Sequence, residues 1–250
     1  MRFIGMHKTN PDNEAGKPPE MELIAAMGAL VGEMAKSGVF VAGEGLCATS
    51  LGVRLNFAGG KMRRTPGPFV GGNELPMAFT IVKVRDLEEA VAWAVRHAQT
   101  FGMDQGGGEI DVRPVTENWD LGLAPPPPAG TPTRYMILLK ADPRSESGDP
   151  LGPAVVAALP KLHRDLHEAG VLVAGEGIRP SAEGVRLNFV GGQRRITDGP
   201  FAESKELIAG YCIFNVKSRQ EVVAWTTPFA KLLGDVEVDI RPLYEPADLA

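Results

Sequence analysis

The chain has 250 residues, 44% hydrophobic and 23% charged, globular proportions that exclude collagen-like, coiled-coil and disordered chains and allow a core without staples. Its net charge of -5 argues against a nucleic-acid partner, and two cysteines at unrelated places, Cys47 and Cys212, read as buried thiols in a reducing compartment. With no apolar run near the roughly 20 residues of a membrane helix, and a start too soon interrupted by charge for a signal peptide, the expected protein is cytoplasmic with no membrane partner.

In chain order, residues 3–6 are a short apolar strand, and Leu23, Met27, Leu30 and Met34 then recur at helical spacing. Gly38-Val39-Phe40-Val41-Ala42-Gly43-Glu44-Gly45 reads as a strand ending between glycines, and Gly52-Val53-Arg54-Leu55-Asn56-Phe57 alternates as a half-buried strand. A helix carrying Trp93 follows, and Asp111-Val112-Arg113-Pro114 closes the segment. Residues 116–133, with Pro125-Pro126-Pro127-Pro128, read as a semi-rigid spacer.

The whole pattern then returns. Gly170-Val171-Leu172-Val173-Ala174-Gly175-Glu176-Gly177 repeats the first glycine-flanked strand at an offset of 170 − 38 = 132, and Gly184-Val185-Arg186-Leu187-Asn188-Phe189 and Trp225 keep that offset. Asp239-Ile240-Arg241-Pro242 repeats the closing strand at 239 − 111 = 128. The helical stripe returns as Val155, Leu159, Leu162 and Leu166, with Pro160 expected to kink it or mark the start of its regular part. Gly191-Gly192 reads as a hairpin turn, and residues 207–216 as a central strand apolar on both faces. The chain is therefore a tandem duplication: copy one at 1–115, a linker at 116–133, copy two at 134–244 and a tail at 245–250. Strand, helix, strand, hairpin, strand, helix, strand is the ferredoxin-like order, an α+β fold, here doubled.

The run Thr197-Asp198-Gly199-Pro200-Phe201-Ala202-Glu203-Ser204-Lys205-Glu206, with Gly210-Tyr211 and the closing Glu237-Val238-Asp239-Ile240-Arg241-Pro242, resembles the DGPF-containing branch of the YCII-related family over nearly all of both copies. The resemblance implies ferredoxin-like domains of the dimeric α/β-barrel type, packed sheet to sheet as an intramolecular pseudo-dimer. Enzymatic activity is suspected for relatives, and some DGPF members look like companions of alternative sigma factors. Copy one departs from the motif, with Pro66 at the place of Asp198 and Gly71-Gly72-Asn73-Glu74 at the place of Glu203-Ser204-Lys205-Glu206.

Alternation gives the candidate site. Beside core-facing Val236, Val238 and Ile240, the residues Glu237, Asp239 and Arg241 point to the face without helices, as Glu109, Asp111 and Arg113 do in copy one, either lining a polar cleft between copies or pairing among themselves. Arg186 with Asn188, and Arg54 with Asn56, suit a carboxylate or phosphate, unless their hairpin is an exposed flap. Asp198 is a candidate catalytic residue or an Asx-type turn residue, and Glu176, like its counterpart Glu44, a candidate acid or a carboxylate satisfied by glycine amides. Lys205 and Glu206 would meet a ligand at the cleft mouth, with Glu74 as the copy-one counterpart of Glu206.

No metal or cofactor is expected. His163 and His167 have metal-pair spacing but Arg164 where a zinc protease needs its glutamate, and Gly43-Glu44-Gly45-Leu46-Cys47-Ala48 fits a dinucleotide fingerprint with no helix after it. The expected function is binding of a small polar metabolite with isomerase- or lyase-like acid–base chemistry. The alternative is a non-catalytic accessory or sensor module for a regulatory protein such as an alternative sigma factor.

Overall fold

The computed structural model describes residues 1–71, 74–191, 193–201 and 207–245. In chain order the elements are β1 (Arg2–Lys8), α1 (Pro11–Glu14), α2 (Met21–Lys36), β2 (Phe40–Gly45), β3 (Val53–Ala58), β4 (Lys61–Pro66), β5 (Pro76–Val84), α3 (Leu87–Thr100), α4 (Met103–Gly106) and β6 (Gly108–Pro114). The second repeat gives β7 (Thr133–Lys140), α5 (Pro143–Ser147), α6 (Pro153–Glu168), β8 (Leu172–Gly177), β9 (Val185–Val190), β10 (Gln193–Asp198), β11 (Ile208–Asn215), α7 (Arg219–Leu233) and β12 (Val236–Pro242). The order matches the expected doubled pattern, with three helices of four or five residues added.

Local chemistry fixes these boundaries. Asp86 and Ser218, equivalent positions of the two repeats, cap α3 and α7 by accepting the backbone N–H of Glu89 and Glu221. Gly38 and Gly170 end α2 and α6 with positive φ of 74° and 65°, where a Cβ would be strained. Helix α6 runs through Pro160 as one element.

Two six-stranded antiparallel sheets form, ordered β10-β9-β12-β1-β11-β2 and β4-β3-β6-β7-β5-β8. In each, the four strands at one end have the ferredoxin-like order, yet the repeats have exchanged halves. Strands β1 and β2 with α2 complete the sheet holding β9 to β12, while β7 and β8 with α6 complete the one holding β3 to β6. The compact units are accordingly Met1–Gly45 with the chain from Ile178 onward, and Leu46–Gly177. Repeats at 1–115 and 134–244 describe sequence ancestry; packing cuts the chain elsewhere.

Burial holds the exchanged halves together. In the first unit Phe3 and Met34 of repeat one pack with Leu187, Phe214, Val222, Phe229 and Ile240 of repeat two in one buried cluster. In the second, Ile137, Leu139, Leu162 and Leu166 of repeat two join Leu55, Val82, Trp93 and Ile110 of repeat one. At roughly 25 cal/mol per Å² of apolar surface buried, neither half-sheet could be left uncovered.

Candidate functional site

The core clusters define which face of each sheet carries helices, and cross-strand register assigns the other. On the helix-free face of the first unit a single row runs Thr197–Arg186–Asp239–Met6–Tyr211–Glu44, each directly opposite the next. The second unit has Thr65–Arg54–Asp111–Leu138–Phe79–Glu176. The alternation reading of β6 and β12 therefore holds, and both arginines sit on the face with the aspartates.

In the first unit Asp239, fully buried, accepts from Arg186 Nε at 2.6 Å and Nη2 at 3.0 Å, and pairs with Lys8 Nζ at 2.9 Å. Glu237 lies 3.2 Å from Arg186 Nε, and the guanidinium stacks on the Phe201 ring at 4.3 Å. The second unit repeats this: Arg54 reaches Asp111 at 2.7 and 2.9 Å, Lys140 reaches Asp111 at 2.9 Å, and Phe69 lies 4.7 Å from Arg54. There Glu74, also fully buried, accepts from Arg54 at 3.0 Å and pairs with Lys140. Each cluster is composite, because its lysine comes from one repeat and its arginine, aspartate and phenylalanine from the other.

Burial alone would raise both aspartates, but the Lys8 ammonium and the Arg186 bonds outweigh it at Asp239, as Lys140 and Arg54 do at Asp111, and both are held below the usual carboxylate range. Burial would lower Arg186 and Arg54, yet bonds to Asp239 and Asp111 raise them, so they stay charged. The flap expectation fails for β3 and β9, whose arginines are paired and only partly exposed. It survives for the outer strands β4 and β10, exposed throughout.

The Gly-Pro-Phe core of the motif, present in both repeats, positions the ring under the arginine. Gly199 and Gly67 pass so close to the carbonyls of Ser181 and Thr49 that a Cβ would lie 1.8 Å from the oxygen. The hydroxyls of Ser181 and Thr49 then accept the N–H of Phe201 and Phe69, each at 3.1 Å. Asp198 belongs to the opposite face: it lies across from core-facing Val185 and pairs with Arg219 Nη2 of α7 at 2.5 Å. It pins the hairpin to the helix and does not converge with Arg186. Where Pro66 replaces it, Arg64 does the same work through Glu88, at 2.6 and 2.5 Å.

Arg241 and Arg113 are diverted too, donating to the carbonyls of Arg179 and Cys47 to brace the turns after β8 and β2. Glu44 and Glu176 occupy edge strands four inter-strand gaps from Arg186 and Arg54, roughly 19 Å at about 4.8 Å per gap, too far for one small ligand. The exchange also places Glu176 in the unit of Arg54 and Glu44 in that of Arg186. Asn188 donates to Glu237 at 3.5 Å, and Asn56 stands equivalently beside Glu109. Lys205 and Glu206 lie outside the described residues.

Sequence reasoning missed Lys8 and Lys140. Their signal was the shared 132 offset at the end of an apolar strand, a position that otherwise reads as a solvated strand end. Cys47 is pushed up to about 11 and Cys212 to about 12, by burial in both and by Asp120 at Cys47, so neither is a ready nucleophile. His163 and His167 are exposed, and among the described residues no His, Cys, Asp or Glu group is arranged to hold a metal ion.

Residues 1–117 and 133–242 each match the YCII-related domain. The chain belongs to the YCII-related family. Two matches, one per repeat, agree with the tandem duplication. The chain is also similar to an uncharacterized protein of Rhizobium meliloti (strain 1021), 29% identical over 98 residues, 38% of this chain and 79% of that protein. Within this YCII-related chain no helix among the described residues is long and apolar enough to cross a membrane.

Proposed function

We propose that the chain binds a small polar metabolite carrying an anionic group, on the helix-free face around Arg186 in the first unit and Arg54 in the second. The observation that carries this is the arginine itself, oriented before any ligand arrives by a two-bond pairing with a buried aspartate and by stacking on Phe201 or Phe69. A fork fixed in this way loses little side-chain freedom on binding, and the ring keeps water from one side of it. Asp239 and Asp111 act as holders of that fork, since a carboxylate held ionised is a weak base near neutral pH. Isomerase- or lyase-like chemistry would therefore need a proton carrier brought by another residue or by the ligand.

Arg186→Lys combined with Arg54→Lys tests this, because lysine keeps a charge facing each aspartate and loses the planar fork. Calorimetric titration with malonate and with inorganic phosphate should show saturable binding by the parent protein, weakened at least about tenfold in the variant, or 1.4 kcal/mol. Equal binding by both proteins, or binding by neither, would refute it.

The accessory-module alternative is favoured by different residues. Met62, Val190 and Ile196, 47%, 63% and 45% exposed, place apolar surface on or beside the outer strands. Co-elution with an alternative sigma factor of the source organism, lost on Met62→Lys with Ile196→Lys, would support that reading, and no co-elution would remove it.

A further inference from the structure

Strands β4 and β10 each carry two successive arginines that have different fates. On the helix-bearing side Arg64 pairs with Glu88, and Arg194 donates to Thr227 Oγ1 at 2.8 Å. On the helix-free side Arg63 and Arg195 are exposed, and neither guanidinium has a hydrogen bond or ion pair among the described residues. They occupy equivalent places, 195 − 63 = 132, and each stands directly across from an asparagine, Asn56 or Asn188.

The next pair on the same face of each ladder is Thr197 across from Arg186, and Thr65 across from Arg54. Each hairpin therefore shows the same quartet on one face: two arginines on one diagonal, a threonine hydroxyl and an asparagine amide on the other. Diagonal neighbours in an antiparallel ladder lie roughly 7–8 Å apart, their Cβ atoms somewhat closer. Two guanidiniums rooted at that distance can close on one compact oxyanion from two sides, with Thr and Asn available to donate to its remaining oxygens. Charge points the same way among the described residues of the first unit: Asp239 is shared by Lys8 and Arg186, and Glu237 by Arg186 and Asn188, so Arg195 adds positive charge that no described carboxylate neutralises. In the second unit Arg54 and Lys140 already meet Asp111, Glu74 and Glu109, so Arg63 brings the charges into balance and the matching geometry carries the case there.

We infer that Arg195 and Arg63 are direct ligands for a doubly charged small oxyanion, a phosphate group or a short dicarboxylate, and that the chain carries two such sites, one per unit. The inference rests on the anion-binding reading and deepens it, naming the ligand's charge, the residues that first meet it and the stoichiometry. Asp198 and Lys205, which only copy two carries, would favour one site per chain; the quartet needs neither.

The test is calorimetric titration of the full chain with inorganic phosphate and, separately, malonate, the stronger binder of the two identifying the oxyanion. The parent protein should bind two equivalents, Arg195→Gln or Arg63→Gln one, and the double variant none. Arg194→Gln and Arg64→Gln, equal in charge lost but on the other face, should leave binding unchanged. Parent binding that persists undiminished in Arg195→Gln with Arg63→Gln overturns the inference and leaves the Arg186 reading standing. Equal losses from both pairs of variants also overturn it, since that marks general charge attraction. Binding of neither probe by the parent overturns both readings.

Discussion

His97 shows how one residue couples packing to pH. Its Nδ1 faces the Trp93 carbonyl at 2.8 Å, an acceptor only, so the proton resides there and Nε2 accepts from the Thr80 hydroxyl at 2.9 Å. A second proton would have only the Thr80 hydroxyl, turned to accept, to meet it, and burial holds His97 down at about 4; burial, then Lys8, does the same to His7. A histidine depressed on folding contributes stability fully present above its unfolded value of 6.5 and lost as pH falls from there toward 4. For His97 that loss is about 3 kcal/mol. Repeat two has Phe229 and Cys212 at the places of His97 and Thr80. The double change His97→Phe with Thr80→Cys should flatten the fall in melting temperature between pH 6.5 and 4, leaving the part due to His7. An unchanged slope would show that His97 is not the group responsible.

Glycines of the same chain predict opposite outcomes. A Cβ on Gly199 would meet the Ser181 carbonyl oxygen at 1.8 Å, whereas one on Gly28, inside helix α2, meets nothing within 4 Å. Gly199→Ala should therefore destabilise by roughly 1–3 kcal/mol and loosen the Phe201 ring from Arg186. Gly28→Ala should stabilise by roughly 0.5–1 kcal/mol. Urea denaturation of both variants checks the pair, and a Gly199→Ala protein as stable as the parent would remove the close-approach account of the motif.

At the scale of strands, much of the site was legible because a pleat has period two. The face shared by Asp239, Arg241 and Glu237 followed from the apolar residues between them. What each side chain then grips is not periodic: Arg241 turning to a carbonyl, or Asp198 reaching Arg219 from the other face, depends on neighbours distant in sequence. The buried lysines escaped for the same reason, since a lysine closing an apolar strand reads as solvated until β12 or β6 is laid beside it. Lys8→Met should reveal its weight. It leaves Asp239 buried with Arg186 alone, a loss of roughly 3–5 kcal/mol if the pairing is integral to the fold. It also weakens the pull that keeps Asp239 ionised. Asp239 contributes stability above its unfolded pKa that is lost as pH falls through its depressed folded value, so in the variant acid unfolding should begin at higher pH. A variant melting like the parent at both neutral and acid pH would make Lys8 a bystander.

For the whole molecule, a repeat offset reports likeness and is silent on pairing: β1 and β7 are equally good partners for β12 or β6 by sequence, and only assembly decides. That decision makes a prediction about where the chain can be cut. A fragment of residues 46–177 holds all six strands of one sheet, both of its long helices and the complete Lys140–Asp111–Arg54–Glu74 cluster. It should fold alone, with a cooperative melt and dispersed amide resonances. A fragment of residues 1–115, the repeat as sequence defines it, has β3 to β6 without β7 and β8, and β1 and β2 without β11 and β12. As a monomer it would leave Leu55, Val82 and Ile110 without Ile137 and Leu139, and Asp111 without its lysine, so it should be unfolded or should self-associate to regain the missing strands. Gel filtration and circular dichroism of the two fragments decide the matter: a monomeric, cooperatively melting 1–115 beside an unfolded 46–177 would mean that each repeat keeps its own halves and that the exchange is not how the chain folds.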